Sequence, residues 1–324
     1  MTLADWLAES RDRVRYEGLS TGGYASAQEL WAGALGRVGE LWNYGESVHE
    51  REWDVLLVFD ACRVDLMATV ARTGEYDLLD GFDPERDAMN SVASRSPEWI
   101  AETFDPDRWG ERLADVAYVT ANPHSREVPD PDALARVDEV WRYGWDDERG
   151  VVPPRTMTDR TVATARAHDG PVVAHYMQPH LPFRSLVDDH PEWFSLEATP
   201  DGDDPDGAGA PFKTLWRRLR DGEVSREVVW EAYVDNLRWV LDEVATLRSN
   251  LDGTAVVTAD HANAMGEWWC YGHQTPAPVP AMKRVPWVSF EATDERTFEP
   301  TVAADGTDPD DDEVRDRLRN LGYV

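Results

Sequence analysis

Two aspartates and a histidine stand at the ends of apolar runs. Residues 53–65, WDVLLVFDACRVD, hold five consecutive apolar residues, Val55–Phe59, and then Asp60. Residues 254–261, TAVVTADH, likewise end on Asp260 and His261. Each run reads as a buried parallel strand, and open α/β sheets bind ligands at the carboxyl ends of such strands. Two carboxylates and an imidazole gathered there are oxygen and nitrogen donors suited to a hard or borderline divalent cation. Adjacent strand residues point to opposite faces, so Asp260 and His261 can share one ion only if the chain turns after the strand. The following ANAMGEWWCYGH allows that turn. The competing reading is an aspartate capping a helix and a histidine satisfied in the core.

The elements that must carry these residues alternate between strands and helices. Strands are expected at 55–59, 116–120, 171–176, 254–259 and 284–290, and helices at 63–72, 98–104, 130–143, 155–168 and 225–248. Ser225 caps the last of these, and its apolar stripe runs from Val228 to Leu247. This pattern predicts an α/β fold, a mainly parallel central sheet with helices on both faces. Ahead of it, 3–16 and 26–42 read as two amphipathic helices parted by a turn at Thr21-Gly22-Gly23. The second opens with Ser26 and Glu29 at capping-box spacing and places Leu30, Trp31, Ala34, Leu35, Val38 and Leu41 on one face. The expected organisation is a helical extension over 1–52 and a catalytic domain over 53–324. An acidic, Gly/Pro-rich insertion near 184–224 interrupts that domain, with a short helix expected at 212–219.

Composition narrows the function. The 324 residues carry a formal charge of −31, and Lys213 and Lys283 are the only lysines. So acidic a chain offers no phosphate-tracking groove, which argues against nucleic-acid binding. An acidic, Lys-poor surface suits concentrated salt, where the Debye length falls to about 3 Å and self-repulsion is screened. No apolar run reaches the roughly 18 residues of a transmembrane helix, and the first residues lack the apolar core of a signal peptide. A soluble, cytoplasmic, halophilic protein is the expectation. Cys62 and Cys270 are too few for a disulfide framework, and Cys62 reads as a small apolar residue packed behind Asp60.

Several stretches together resemble the sulfatase-like branch of the alkaline phosphatase superfamily, especially its halophilic archaeal members. They are VLLVFDACRVD, SRSPEWIAETF at 94–104, HYMQPHLPF at 175–183, VVTADH with YGH, RVPWV at 284–288 and the terminal DRLRNLGYV. The matches span residues 53 to 324 in the family's order. The resemblance implies that Asp60, Asp260 and His261 ligate a metal together with a nucleophile at a helix N-terminus. Ser96, followed by Pro97 and Glu98, has that placement; Ser94 is the competitor. It implies, further, that His180 and His273 lie near the ester oxygens or the transferred group. His175, inside a strand, reads either as a substrate ligand or as a core histidine. Arg63, Lys283 and Arg284 are candidates to neutralise a tetrahedral anion, although for any one of them a surface salt bridge is the favoured reading.

The chain departs from the family in two ways. Cys62 lacks the proline of the sulfatase C-x-P-x-R motif. Phe59-Asp60-Ala61 supplies one acidic residue where many sulfatases have two in succession. One divalent ion is therefore expected, manganese, magnesium or calcium, with zinc less favoured. The implied activity is a metal-dependent hydrolase or transferase of phosphate or sulfate esters. Its substrate would be a small anionic ester, with a glycan or lipid-linked precursor among the candidates. The alternative is a degenerate member that binds an anionic glycan or lipid head group without turnover. A phosphomutase-like isomerase is disfavoured for want of metal ligands.

Overall fold

A computed structural model describes residues 3–190, 193, 214–273, 276–304, 313–314 and 317. In chain order the elements are α1 (Leu3–Leu41), β1 (Val55–Phe59), α2 (Val64–Ala71), β2 (Ala88–Asn90), α3 (Ser96–Thr103), α4 (Pro106–Leu113), β3 (Ala117–Thr120), β4 (Arg136–Glu139), α5 (Pro154–Ala167) and β5 (Val172–Tyr176). They continue with α6 (Arg184–Asp189), α7 (Leu215–Asp221), α8 (Arg226–Leu241), α9 (Val244–Arg248), β6 (Gly253–Thr258), β7 (Ala264–Met265), β8 (Tyr271–Gly272), α10 (Pro280–Lys283), β9 (Arg284–Pro286) and β10 (Val288–Ala292).

Six strands form the central sheet in the order β10-β6-β1-β5-β3-β4, all parallel except β10. β1 lies at its centre with every residue buried, because helices cover both faces and leave no side for polar residues. Its register pairs Val58 with His175 on β5 and with Thr258 on β6. The carboxyl ends of β1, β5, β6 and β3 therefore meet at one place. α5 packs on β3 and β5, and α2 packs on α8. Ser225 caps α8 as expected, its hydroxyl accepting from the Val228 amide. No helix among the described residues is long and apolar enough to cross a membrane.

Three local expectations are corrected. The 130–143 stretch is an edge strand, β4, between two short 3-10 turns, not a helix. Its helical spacing misleads because a buried polar residue, Asp138, sits where an apolar one would mark the strand. Asp138 is held by the Arg160 guanidinium at 2.8 Å and by the Tyr143 hydroxyl. The N-terminal helix continues through Gly22-Gly23 and kinks at Gly18, whose φ of 84° needs a residue without a Cβ. Ser26 lies inside that helix, bonded back to the Gly22 carbonyl rather than capping, and of the expected stripe only Leu35 is buried. Finally, the late strand divides at Trp287: β9 pairs with β2, and β10 joins the central sheet. Within the 184–224 insertion, residues 184–190, 193 and 214–224 are described, with α6 at its start and α7 near its end, where a short helix is expected; the terminal helix falls largely outside the described residues.

Candidate active site

β1 delivers Asp60 still within the ladder, its amide donating to the Tyr176 carbonyl at 3.0 Å. Ala61 then adopts a left-handed φ of 61°. That turn aims the Ala61 N–H at Asp260 Oδ1, 3.0 Å away. The Ala61 carbonyl accepts the Tyr233 hydroxyl. The same Asp260 oxygen accepts the His261 amide at 2.8 Å, while Ser91 Oγ donates to the Asp260 carbonyl. The chain thus turns immediately after β6, and Asp260 and His261 both face the cleft. His261 Nδ1 lies 3.1 Å from the Ala262 carbonyl, which places the proton on Nδ1 and leaves a lone pair on Nε2.

Ser96 opens α3. Arg95, with φ −162° and ψ 155°, occupies the cap position, and its side chain makes no capping bond. Ser96 is therefore the first helical residue rather than the cap expected from Ser-Pro-Glu. Its hydroxyl points into the cluster, 3.3 Å from Asp60 Oδ2 and 3.3 Å from His261 Nε2. His261 Nε2 in turn lies 3.5 Å from Asp60 Oδ1 and 3.5 Å from Asp260 Oδ2. His175 Nε2 reaches the same point, 3.5 Å from Asp260 Oδ2 and 3.9 Å from Asp60 Oδ2. Asp60, Ser96, His175, Asp260 and His261 are all wholly buried.

Two carboxyl groups this deeply buried and this close cannot both ionise without a compensating charge. Donor atoms of Asp60, His175 and Asp260 lie within 4.8 Å of one another. Asp260 Oδ2 and His175 Nε2 face each other without an aligned hydrogen bond from any described residue. Carboxylate oxygens and imidazole nitrogens converging in this way fit a divalent cation. Burial alone would push the Asp260 carboxyl up, but His261, His175 and the Ala61 amide outweigh it and keep the group ionised. Burial favours neutral His261, lowers His180 to about 3 and carries His273 well below its ordinary value.

An outer layer of imidazoles borders this cluster. The His273 ring is 4.4 Å from His261 and 5.0 Å from His180, centroid to centroid. His273 Nδ1 is 2.6 Å from Asn263 Oδ1, and His180 Nδ1 is 2.6 Å from the Leu181 carbonyl. Each ring is thereby fixed through its Nδ1. Sequence reasoning missed Asn122, whose amide donates to Asp60 Oδ2 at 2.8 Å, and His124, whose Nδ1 meets Glu127 at 2.7 Å. The signal was present: Asn122-Pro123-His124 follows β3 just as Asp60 follows β1.

The remaining candidates are engaged elsewhere. The Ser94 amide and hydroxyl bond Glu98 Oε2 at 2.8 and 3.2 Å, and its hydroxyl accepts the Ala277 amide at 2.9 Å. The Arg63 guanidinium is held by Asp65 at 2.7 Å, Glu267 at 3.0 Å and the Asn263 carbonyl. Lys283 Nζ bonds Asn43 Oδ1 at 2.8 Å and the Val92 carbonyl at 3.0 Å. Arg284 reaches the Pro84 carbonyl at 2.8 Å and Glu85 at 3.0 Å. None of these four hydrogen-bonds to the cluster. Cys62 and Cys270 are buried free thiols.

No protein-family model and no curated protein matches this chain. Among solved structures it is similar to the soluble domain of lipooligosaccharide phosphoethanolamine transferase A from Neisseria meningitidis. Identity there is 14% and TM-score 0.45, covering 75% of this chain and 77% of that one. The C-terminal periplasmic domain of phosphoethanolamine transferase EptC from Campylobacter jejuni shows 15% identity and TM-score 0.44, covering 75% and 79%. A protein assigned as a sulfatase from Bacteroides thetaiotaomicron shows 10% identity and TM-score 0.45, covering 83% and 70%. At such identities a shared chain path says nothing of chemistry, which the residues themselves must supply.

Proposed function

We propose that this chain is a divalent-metal-dependent hydrolase or transferase of phosphate or sulfate esters, a sulfatase-like protein of the halophilic archaeal type with Ser96 as nucleophile. One observation carries the reading: the Ser96 hydroxyl stands at 3.3 Å from both Asp60 and His261, inside a buried carboxylate–imidazole cluster at the strand ends. Asp60, Asp260, His261 and His175 would hold the metal. His175 supplies the donor that a single acidic residue after β1 leaves wanting. A bound divalent ion would lower the cost of ionising the serine and stabilise charge on the ester oxygens.

Ser96 Oγ attacks phosphorus or sulfur, its bond forming as the bond to the leaving oxygen breaks. With the His261 Nε2 lone pair committed to the metal, the hydroxyl proton has Asp60 Oδ2 as its acceptor within reach. His180 and His273 are neutral and commit their Nδ1 protons to Leu181 and Asn263, so they line the leaving-group side, and the leaving oxygen takes its proton from solvent. Water or an acceptor hydroxyl then takes the group from Ser96. The acidic, Lys-poor composition and the two unpaired cysteines support a salt-rich cytoplasm as the site of action.

Turnover of an aryl phosphate and an aryl sulfate in concentrated KCl, with manganese and then after chelation, tests the proposal. Release of aryl alcohol from either ester, lost on chelation and on Ser96→Ala, is the expected result. Tight binding of either ester without any release would leave a non-catalytic binder instead.

A further inference from the structure

The cluster is rich in carboxylates, and an anionic ester entering it needs a cation from the protein. Arg63, Lys283 and Arg284 are already held by other protein groups. Arg95 is different. It directly precedes Ser96, it is partly buried, and its guanidinium makes no hydrogen bond or ion pair with any described residue. Its Nε is shielded from solvent without an acceptor. A guanidinium N–H removed from water and left unmatched is costly, so a position like this favours an incoming acceptor.

Its surroundings place it beside the ester site. The extended backbone at Arg95 leads straight into α3, whose first residue is Ser96. α3 packs against the 3-10 turn Pro123–Glu127 that carries His124. At the end of that turn His124 Nδ1 meets Glu127 at 2.7 Å, and Arg95 also helps hold the Glu127 carboxyl below its ordinary value. Arg95 thus stands at the junction of α3, which Ser96 opens, and the turn that carries His124. Arginine offers a planar fork of donors that matches two oxygens of a tetrahedral anion.

We infer that Arg95 is a substrate-binding residue that grips two oxygens of the phosphate or sulfate group presented to Ser96. The inference rests on the ester-cleaving reading above and adds to it the residue that recognises the tetrahedral anion. Calorimetric titration of the manganese-loaded protein with inorganic phosphate, and separately with inorganic sulfate, tests it and shows which anion the site prefers. Arg95→Ala should weaken binding of the preferred anion about tenfold or more. Arg95→Lys should recover part of the loss, and millimolar guanidinium ion should partly rescue the alanine variant, which no merely structural role would allow. Metal content and melting temperature should match wild type in both variants. Wild-type binding with Arg95→Ala within twofold of it would overturn the role of Arg95 alone. Failure of the wild type to bind either anion would overturn the ester reading and this inference together.

Discussion

Replacing Asp260 by asparagine should separate metal binding from folding. Asp260 Oδ1 accepts two backbone amides, from Ala61 at 3.0 Å and His261 at 2.8 Å. Asparagine retains that oxygen and both bonds. Its amide NH₂ replaces Oδ2, where it meets the Nε2 atoms of His175 and His261, each 3.5 Å from the original oxygen. The change should therefore cost the fold about 1 kcal/mol or less. The metal loses an anionic donor, and affinity should fall at least about a hundredfold, roughly 2.8 kcal/mol. Thermal melts of chelated protein with manganese added back make the difference visible. At a manganese concentration about 100 times the wild-type Kd, wild type gains about 2.7 kcal/mol and the variant only about 0.4 kcal/mol. Equal bound manganese by elemental analysis, with equal melting shifts, would refute Asp260 as a ligand.

Three further outcomes follow from the geometry. His49 is buried, its Nε2 lies 3.0 Å from the Thr103 carbonyl, and burial lowers it to about 4. The folded state thus resists a proton that the unfolded chain accepts below about pH 6.5. Stability is intact above that pH and falls between about 6.5 and 4, by about 2 kcal/mol at pH 5. Denaturant unfolding of His49→Gln, which keeps a donor for Thr103, should lack this loss, and an unchanged pH slope would count against it. Ser94→Ala strands the Ala277 amide, so unfolding free energy should drop by about 1–2 kcal/mol while turnover persists; the reverse pattern would make Ser94 the reactive serine. Circular dichroism across a KCl series should show the native spectrum lost at low salt, since −31 charges then repel unscreened, and a native spectrum in salt-free buffer would end the halophilic reading.

Much of the fold was legible because burial on both sheet faces leaves unbroken apolar runs. Val55–Phe59, Val172–Tyr176 and the β6 core read as strands without knowledge of their partners. β4 was not legible: it is short, lies at the sheet edge, and its buried residue is an aspartate satisfied by Arg160 from a distant helix. The same limit applies to Arg63, Lys283 and Arg284. A cation's partners are set by tertiary contacts, so sequence can nominate a guanidinium without knowing that Glu267 holds it. Nor does spacing reveal that α1 leaves Leu30, Val38 and Leu41 exposed. The site was half visible. A strand ending on Asp60 or on Asp260-His261 announces itself, whereas the expected 116–120 strand ends without a carboxylate to draw attention to Asn122 and His124. Residue types around Ser94 and Ser96 could not rank them, because the difference is one of direction. Ser96 points at Asp60 and Ser94 at Glu98.

Trapping the covalent intermediate on an ester substrate, then mapping the modified peptide by mass spectrometry, tests the central claim most directly. The account predicts a phosphoryl or sulfuryl group on Ser96, formed with metal present and absent after chelation. A label on Ser94, or on no serine between residues 90 and 97 while turnover proceeds, would contradict it.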